Sequence, residues 1–160
     1  FALCVIFLEG CGDAAVTTYS GPCSPSSGEV SRVIDGDTIE LVDGTTVRYL
    51  LVDTPELGHN SQNDDCFGAE AKSANESLVL GQTVDLTYDE DLCEDIYNRN
   101  LAYVTIEGRS INKILLERGY AKTLFIYPKD HPNAYLHEND YLQVQEQAQE
   151  FQMGLWGACE

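Results

Sequence analysis

Apolar and polar positions first settle into a regular pattern at Glu29. Residues 30–34 and 38–42 read as strands, and residues 45–52 as a third. Asp43-Gly44 between the last two is a hairpin signal. The third run ends in an unbroken apolar stretch, Tyr49-Leu50-Leu51-Val52. Pro55 stops the ladder soon after, because it has no N–H to give. A polar loop over 57–65 follows. Residues 67–80 read as a helix with a stripe of Ala69, Ala71, Ala74, Leu78 and Val79, and Gly81 as its stop. Residues 83–88 alternate as a strand, 89–95 form an acidic loop, and 101–106 give a fifth strand. Ser110 then caps a helix through Arg118, with Ile111, Ile114 and Leu115 inward and Gly119 at its end. Residues 120–127 are extended. A last helix opens at Asn139 or Asp140 and runs to Met153, and Gly154-Leu155-Trp156-Gly157 is a closing apolar hook. Three meander strands, a helix, two strands and further helices predict an α+β domain: a small five-stranded barrel with about three packed helices.

The front of the chain is different. Residues 1–8 are apolar, and Leu8-Glu9-Gly10-Cys11 follows. Residues 1–10 therefore read as the tail of a truncated, lipoprotein-type signal peptide, with Cys11 as the lipidated residue; a plain secretory signal or a buried strand is the alternative. Residues 11–28, rich in Ser, Thr, Pro and Gly, read as a flexible tether, leaving 29–160 as the folded domain. An exported protein is expected, in the cell envelope or secreted.

Length and composition fit this division. The chain has 160 residues, 43% of them hydrophobic, which suffices for one core. The formal net charge is −18, where nucleic-acid binders usually carry a basic footprint. Five of the nine basic residues, Arg109, Lys113, Arg118, Lys122 and Lys129, fall in a short window. A local positive patch on an acidic body, weak distributive binding, and adaptation to high salt all fit this balance.

The candidate chemistry lies around the end of the third strand. Arg48, Asp53 and Glu56 flank it, Asp35-Gly36-Asp37 adds two carboxylates on a tight turn, and Tyr97-Asn98-Arg99 adds a second arginine. Asp-Gly-Asp alone is ordinary turn chemistry. Beside Asp53-Thr54-Pro55-Glu56 it suggests a site for phosphate chemistry, with Asp37 and Asp53 as hard oxygen ligands for Ca²⁺. Glu56 is placed to take a proton from an attacking water, against the alternative of a solvated loop residue. Arg48 and Arg99 each present a planar, permanently charged fork to a phosphate. Otherwise they are a cross-strand ion-pair partner and a surface residue.

Val33-Ile34-Asp35-Gly36-Asp37-Thr38, then Arg48, then Leu51-Val52-Asp53-Thr54-Pro55-Glu56, then Tyr97-Asn98-Arg99-Asn100-Leu101-Ala102-Tyr103 resembles the staphylococcal nuclease (thermonuclease) family in order and spacing, over Glu29 to Tyr127 and more weakly to Trp156. The resemblance implies an OB-fold. It also implies a Ca²⁺-dependent nuclease that acts on DNA and RNA, prefers unpaired strands and leaves 3′-phosphate ends. Asp37, Asp53 and the Thr54 backbone carbonyl would hold the cation, with Asp35 nearby. Arg48, Glu56 and Arg99 would be catalytic, and Tyr97, Phe125 and Tyr127 would contact base and sugar. For these aromatics core packing is the alternative. The chain departs from the family at Ile96, where a Lys is frequent, at Asn98 and Asn100, where Gly is frequent, and at Phe125, which replaces a Tyr. Asn tolerates the left-handed backbone, so the turn can survive. A monomer is expected. The competing readings are a non-catalytic OB-fold that binds nucleic acid or protein, and a purely structural envelope lipoprotein.

Setting aside Cys4 and Cys11, four cysteines remain: Cys23, Cys66, Cys93 and Cys159. In an exported domain an even number suggests two disulfides, with three connectivities open. Cys66–Cys93 with Cys23–Cys159 is favoured, since Cys66 and Cys93 both lie in loops flanking the candidate site.

Overall fold

A computed structural model describes residues 23–58, 64–89, 92–125 and 136–159. β1 (Ser27–Asp35), β2 (Thr38–Leu41) and β3 (Thr46–Tyr49) form an antiparallel meander. Gly44, at φ +89°, makes the hairpin between β2 and β3, a backbone region glycine enters without steric cost. Beyond α1 (Gly68–Val79), β5 (Thr83–Thr87) pairs with β1 and β6 (Asn100–Ile106) with β5. β6 then returns alongside β3 in parallel, Val47 beside Asn100 and Tyr49 beside Ala102. This pairing closes the ring β1-β2-β3-β6-β5, so the expected five-stranded barrel is present. Closure removes sheet edges. β7 (Arg109–Ser110) adds to β6, and β4 (Val52–Asp53) pairs with β8 (Lys122–Thr123) in a separate ribbon.

α2 (Ile111–Glu117), α3 (Glu138–Glu150) and α1 are the three expected helices, and the C-terminal hook is a single turn, α4 (Leu155–Ala158). The Ser110 side chain accepts from the Lys113 N–H, which satisfies one orphan donor of α2 as expected. Gly119 and Gly154 press backbone to backbone: a Cβ on Gly119 would meet the Met153 carbonyl oxygen at 2.1 Å. That contact holds the hook against the end of α2.

Four expectations change. The run 45–52 is two strands, because Leu51 takes φ +61° and breaks the ladder. Asn112 meets the freed Leu50 carbonyl, 2.9 Å away. The buried face of α1 is Gly68, Ala71, Asn75 and Val79, while Ala69 faces water. The disulfides are Cys23–Cys93 and Cys66–Cys159, with Cα separations of 5.0 and 5.9 Å, in place of the favoured pairing. The loops of Cys66 and Cys93 lie toward different neighbours: Cys66 precedes α1 beside the hook, and Cys93 precedes β6 beside the N-terminal segment. That segment is docked by the Ser26 carbonyl accepting from Leu86 N–H at 2.8 Å and by the Pro25 carbonyl accepting from the Tyr88 hydroxyl at 2.7 Å. The first strand accordingly starts at Ser27, three residues before its expected start at Val30. Residues 1–22, including Cys11, and Tyr127 lie outside the described residues.

Candidate active site

The break at Leu50-Leu51 builds the site. It turns the chain so that the end of β4 comes back under Arg48. Arg48 is buried, 6% exposed. Its Nη1 donates to the Tyr49 carbonyl at 2.9 Å and to the Val52 carbonyl, its Nη2 to Asp53 Oδ1 at 2.9 Å, and its Nε lies 3.1 Å from Asp37 Oδ1. Four of its five donors are therefore engaged. A buried guanidinium between two carboxylates compensates charges that would otherwise be costly so far from water.

Asp37 is placed by the turn between β1 and β2. Its Oδ1 accepts from the Thr38 hydroxyl at 3.0 Å, and its Oδ2 from the Thr54 N–H at 2.8 Å and hydroxyl at 3.0 Å. Gly36 permits this approach: a Cβ there would lie 2.6 Å from Thr54 Oγ1. Burial pushes the Asp37 carboxyl up to about 7, with Asp35 adding to the rise and Arg48 opposing it. Asp35 is fixed in turn by Asn75 on α1, whose amide donates to the Asp35 carbonyl at 3.2 Å and accepts from the Tyr49 hydroxyl at 2.9 Å.

Glu56 follows at the wall of a cleft of about 310 Å³. Residues 53–56 line it together with Asp65, Cys66, Lys122, Leu155 and Cys159. Partial burial raises the Glu56 carboxyl above its ordinary value, helped by the Asp35 and Asp53 charges and opposed by Arg48. The Glu56 loop is pinned at its base, the Asp65 N–H donating to the Glu56 carbonyl at 2.9 Å. Gly68 lets α1 start against the same carbonyl, 2.8 Å from where a Cβ would sit.

Arg99 leaves the start of β6, two residues before Leu101, the register partner of Arg48. Its Nε and Nη2 both lie 2.7 Å from Asp95 Oδ2. Burial works against the Asp95 charge, but the Arg99 and Tyr97 donors outweigh it and hold the carboxyl below its ordinary value. The guanidinium sits 5.4 Å from the centre of the exposed Tyr97 ring and keeps donors for another partner. Asn98 adopts φ +59°, the left-handed turn that Asn tolerates, whereas Asn100 is in the strand and holds the Ser24 carbonyl at 2.8 Å. Ile96 is exposed, and Phe125 is half-buried against the core.

Direct contacts thus join Asp35, Asp37, Arg48, Asp53 and Thr54. Asp53 and Glu56 line the cleft, and Arg99 with Tyr97 forms a second cluster anchored on Asp95. Among the described residues no three His, Cys, Asp or Glu side chains form a metal-binding group by themselves. Asn75, Asp95 and Lys122 were not singled out by sequence reasoning as site residues. The signal for Asn75 was its spacing, four residues from both Ala71 and Val79 on one helix face.

Comparison with known proteins shows what the chain is similar to. The family model described as Staphylococcal nuclease homologue matches residues 46–158. Endonuclease YncB of Bacillus subtilis (strain 168) is 39% identical over 101 residues, 61% of this chain and 48% of that protein. Endonuclease YhcR of the same organism is 36% identical over 154 residues, 84% of this chain but 12% of that protein. An uncharacterized endonuclease of Escherichia coli O157:H7 is 30% identical over 138 residues, 84% of this chain and 79% of that protein. The chain spans less than half the length of these two Bacillus relatives.

Proposed function

Because the chain belongs to the staphylococcal nuclease homologue family, we propose that it is a Ca²⁺-dependent nuclease that hydrolyses DNA and RNA, prefers unpaired strands and leaves 3′-phosphate ends. The observation that carries this reading is the Arg48 guanidinium held between Asp37 and Asp53 beside the cleft that Glu56 lines. Glu56, with its raised carboxyl, takes a proton from the attacking water. Arg99 offers its remaining donors to the phosphoryl oxygens, and Arg48 its last free N–H. Charge that grows there in the transition state is met more strongly than in the substrate, which is what raises rate. Tyr97 presents an exposed ring for a base to stack on.

The donor set suits a hard cation. It is oxygen only: Asp37, Asp53 and the Thr54 carbonyl, with Asp35 adding negative charge nearby. Bound there, Ca²⁺ would supply positive charge to the phosphoryl oxygens. Asp37 already accepts four hydrogen bonds or ion contacts, so cation binding exchanges with some of them. Two disulfides support export, and a lipid anchor through Cys11 belongs to the same proposal. A monomer is proposed.

The test is degradation of single-stranded DNA by the purified chain with Ca²⁺ or chelator, over a range of salt. Cleavage that needs Ca²⁺ and disappears in Glu56→Gln is expected. A folded, Ca²⁺-loaded chain that cuts nothing overturns the enzyme and leaves a binding module, which oligonucleotide affinity would then measure.

A further inference from the structure

Among the described residues that line the cleft beside Glu56 one is a cation, Lys122, which the reaction outlined above does not use. β8 sets Lys122 directly opposite Asp53 of β4, the residue whose carboxylate Arg48 holds at 2.9 Å. Lys122 therefore lies beside Asp53 and shares the cleft with Glu56 and Asp65.

Its surroundings are unlike those of most other cations. Arg32, Arg48, Lys72, Arg99 and Lys113 each pair with a carboxylate. Lys122 lines a cleft with three acidic residues, yet none of the described carboxylates comes within 4 Å of its ammonium. The Nζ instead lies 5.5 Å from the centre of the Trp156 ring, a cation–π contact that orients a lysine without neutralising it. The hook that carries Trp156 is itself fixed by Cys66–Cys159 and by the Gly119–Gly154 contact. The ammonium is thus held on a rigid wall with its charge unspent, at the edge of a cavity near the lower end of the usual small-molecule range, about 300–1,000 Å³.

We infer that the cleft is a nucleotide subsite in which Lys122 binds the backbone phosphate neighbouring the one that is cleaved. The inference rests on the nuclease reading for its substrate class. It explains how a chain of net charge −18 can hold a polyanion: through a few placed cations, with the acidic body repelling the rest of the strand.

The experiment is binding of hydrolysis-resistant phosphorothioate oligodeoxynucleotides, a dinucleotide and an octanucleotide, at several salt concentrations. Anisotropy and the fluorescence of Trp156, the single tryptophan of the chain, report binding. Lys122→Gln is expected to weaken octanucleotide binding by roughly fivefold and to lower its salt slope by about one. The variant should also lose the Trp156 fluorescence change, and the advantage of the long strand over the dinucleotide should shrink. Unchanged octanucleotide affinity and salt slope overturn the inference. So does an equal loss on both lengths, which would make Lys122 a support for Asp53 and Glu56. If the wild type binds through Lys122 but never cuts in Ca²⁺, the nuclease reading fails and the subsite stands. If it neither cuts nor binds, both fall.

Discussion

The phenol of Tyr49 donates to the side-chain oxygen of Asn75 across 2.9 Å, and both residues are completely buried. One belongs to the strand that carries Arg48, the other to the helix that starts against Glu56. The same Asn75 amide holds the Asp35 carbonyl, so a single side chain ties the acidic turn to the arginine strand. Asn75→Ala should cost about 2 kcal/mol or more, because it strands a buried hydroxyl and a carbonyl without partners. Tyr49→Phe should cost less, about 1 kcal/mol, since it leaves only the amide oxygen unpaired. Denaturant unfolding measures both, and equal costs would show that Asn75 holds nothing but Tyr49.

The two arginines should fail differently. Arg48 is buried between carboxylates, and breaking such a pair costs about 3–5 kcal/mol because the remaining charge is stranded. Arg48→Ala should therefore lose both activity and stability. Arg99 is partly exposed and pairs with Asp95 near the surface, so Arg99→Ala should lose turnover by orders of magnitude with little change in unfolding midpoint. Parallel activity and melting measurements separate the two, and a stable Arg48→Ala would contradict the buried pairing.

Both raised carboxyls act on the acid side of the pH profile. Glu56 must be ionised to accept a proton, so activity should fall at a pH above the ordinary carboxylate range. Asp37, at about 7, must also be ionised to hold a cation, so Ca²⁺ affinity should weaken as pH drops through neutrality. Stability without metal should run the other way. A folded value above the unfolded one favours folding at acid pH, and that contribution is lost as pH rises from about 4 through 7. Asp37→Asn should flatten this slope in chelator, measured as melting temperature against pH.

Cys66–Cys159 forms part of the wall of the cleft that Glu56 also lines. Replacing both cysteines by serine should cost about 2–4 kcal/mol through the freed unfolded chain, and should lower turnover because the hook and the base of the Glu56 loop lose their tie. Replacing Cys23 and Cys93 should cost similar stability but act on the Arg99 side, through the segment docked on Asn100. Comparing the two double variants by kcat and KM would show which side of the site each bridge steadies.

The strands were readable because their alternation reports a two-faced barrel wall, and the helix ends because Ser110, Gly81 and Gly119 do local work. The break at Leu51 was not, since an apolar run looks the same whether it stays straight or turns. Asn75 was hidden because a buried polar residue has the composition of a surface one. Arg48, Asp37 and Asp53 were legible as candidates from their family motif, but not as a mutual ion cluster with the guanidinium held between the two carboxylates. The disulfide pairing and the place of Lys122 depend on which distant segments meet, and spacing along a chain does not encode that distance.

β6 returns to β3 in parallel, and that pairing brings residues some fifty positions apart into register, with Arg48 beside Leu101 and Arg99 just before it. The strand that carries Arg48 and the one that Arg99 leads into therefore become neighbours only when the last seam of the ring is sewn. A chain still searching for its fold carries the residues of the site without their arrangement. The proposed chemistry waits on the completion of that topology.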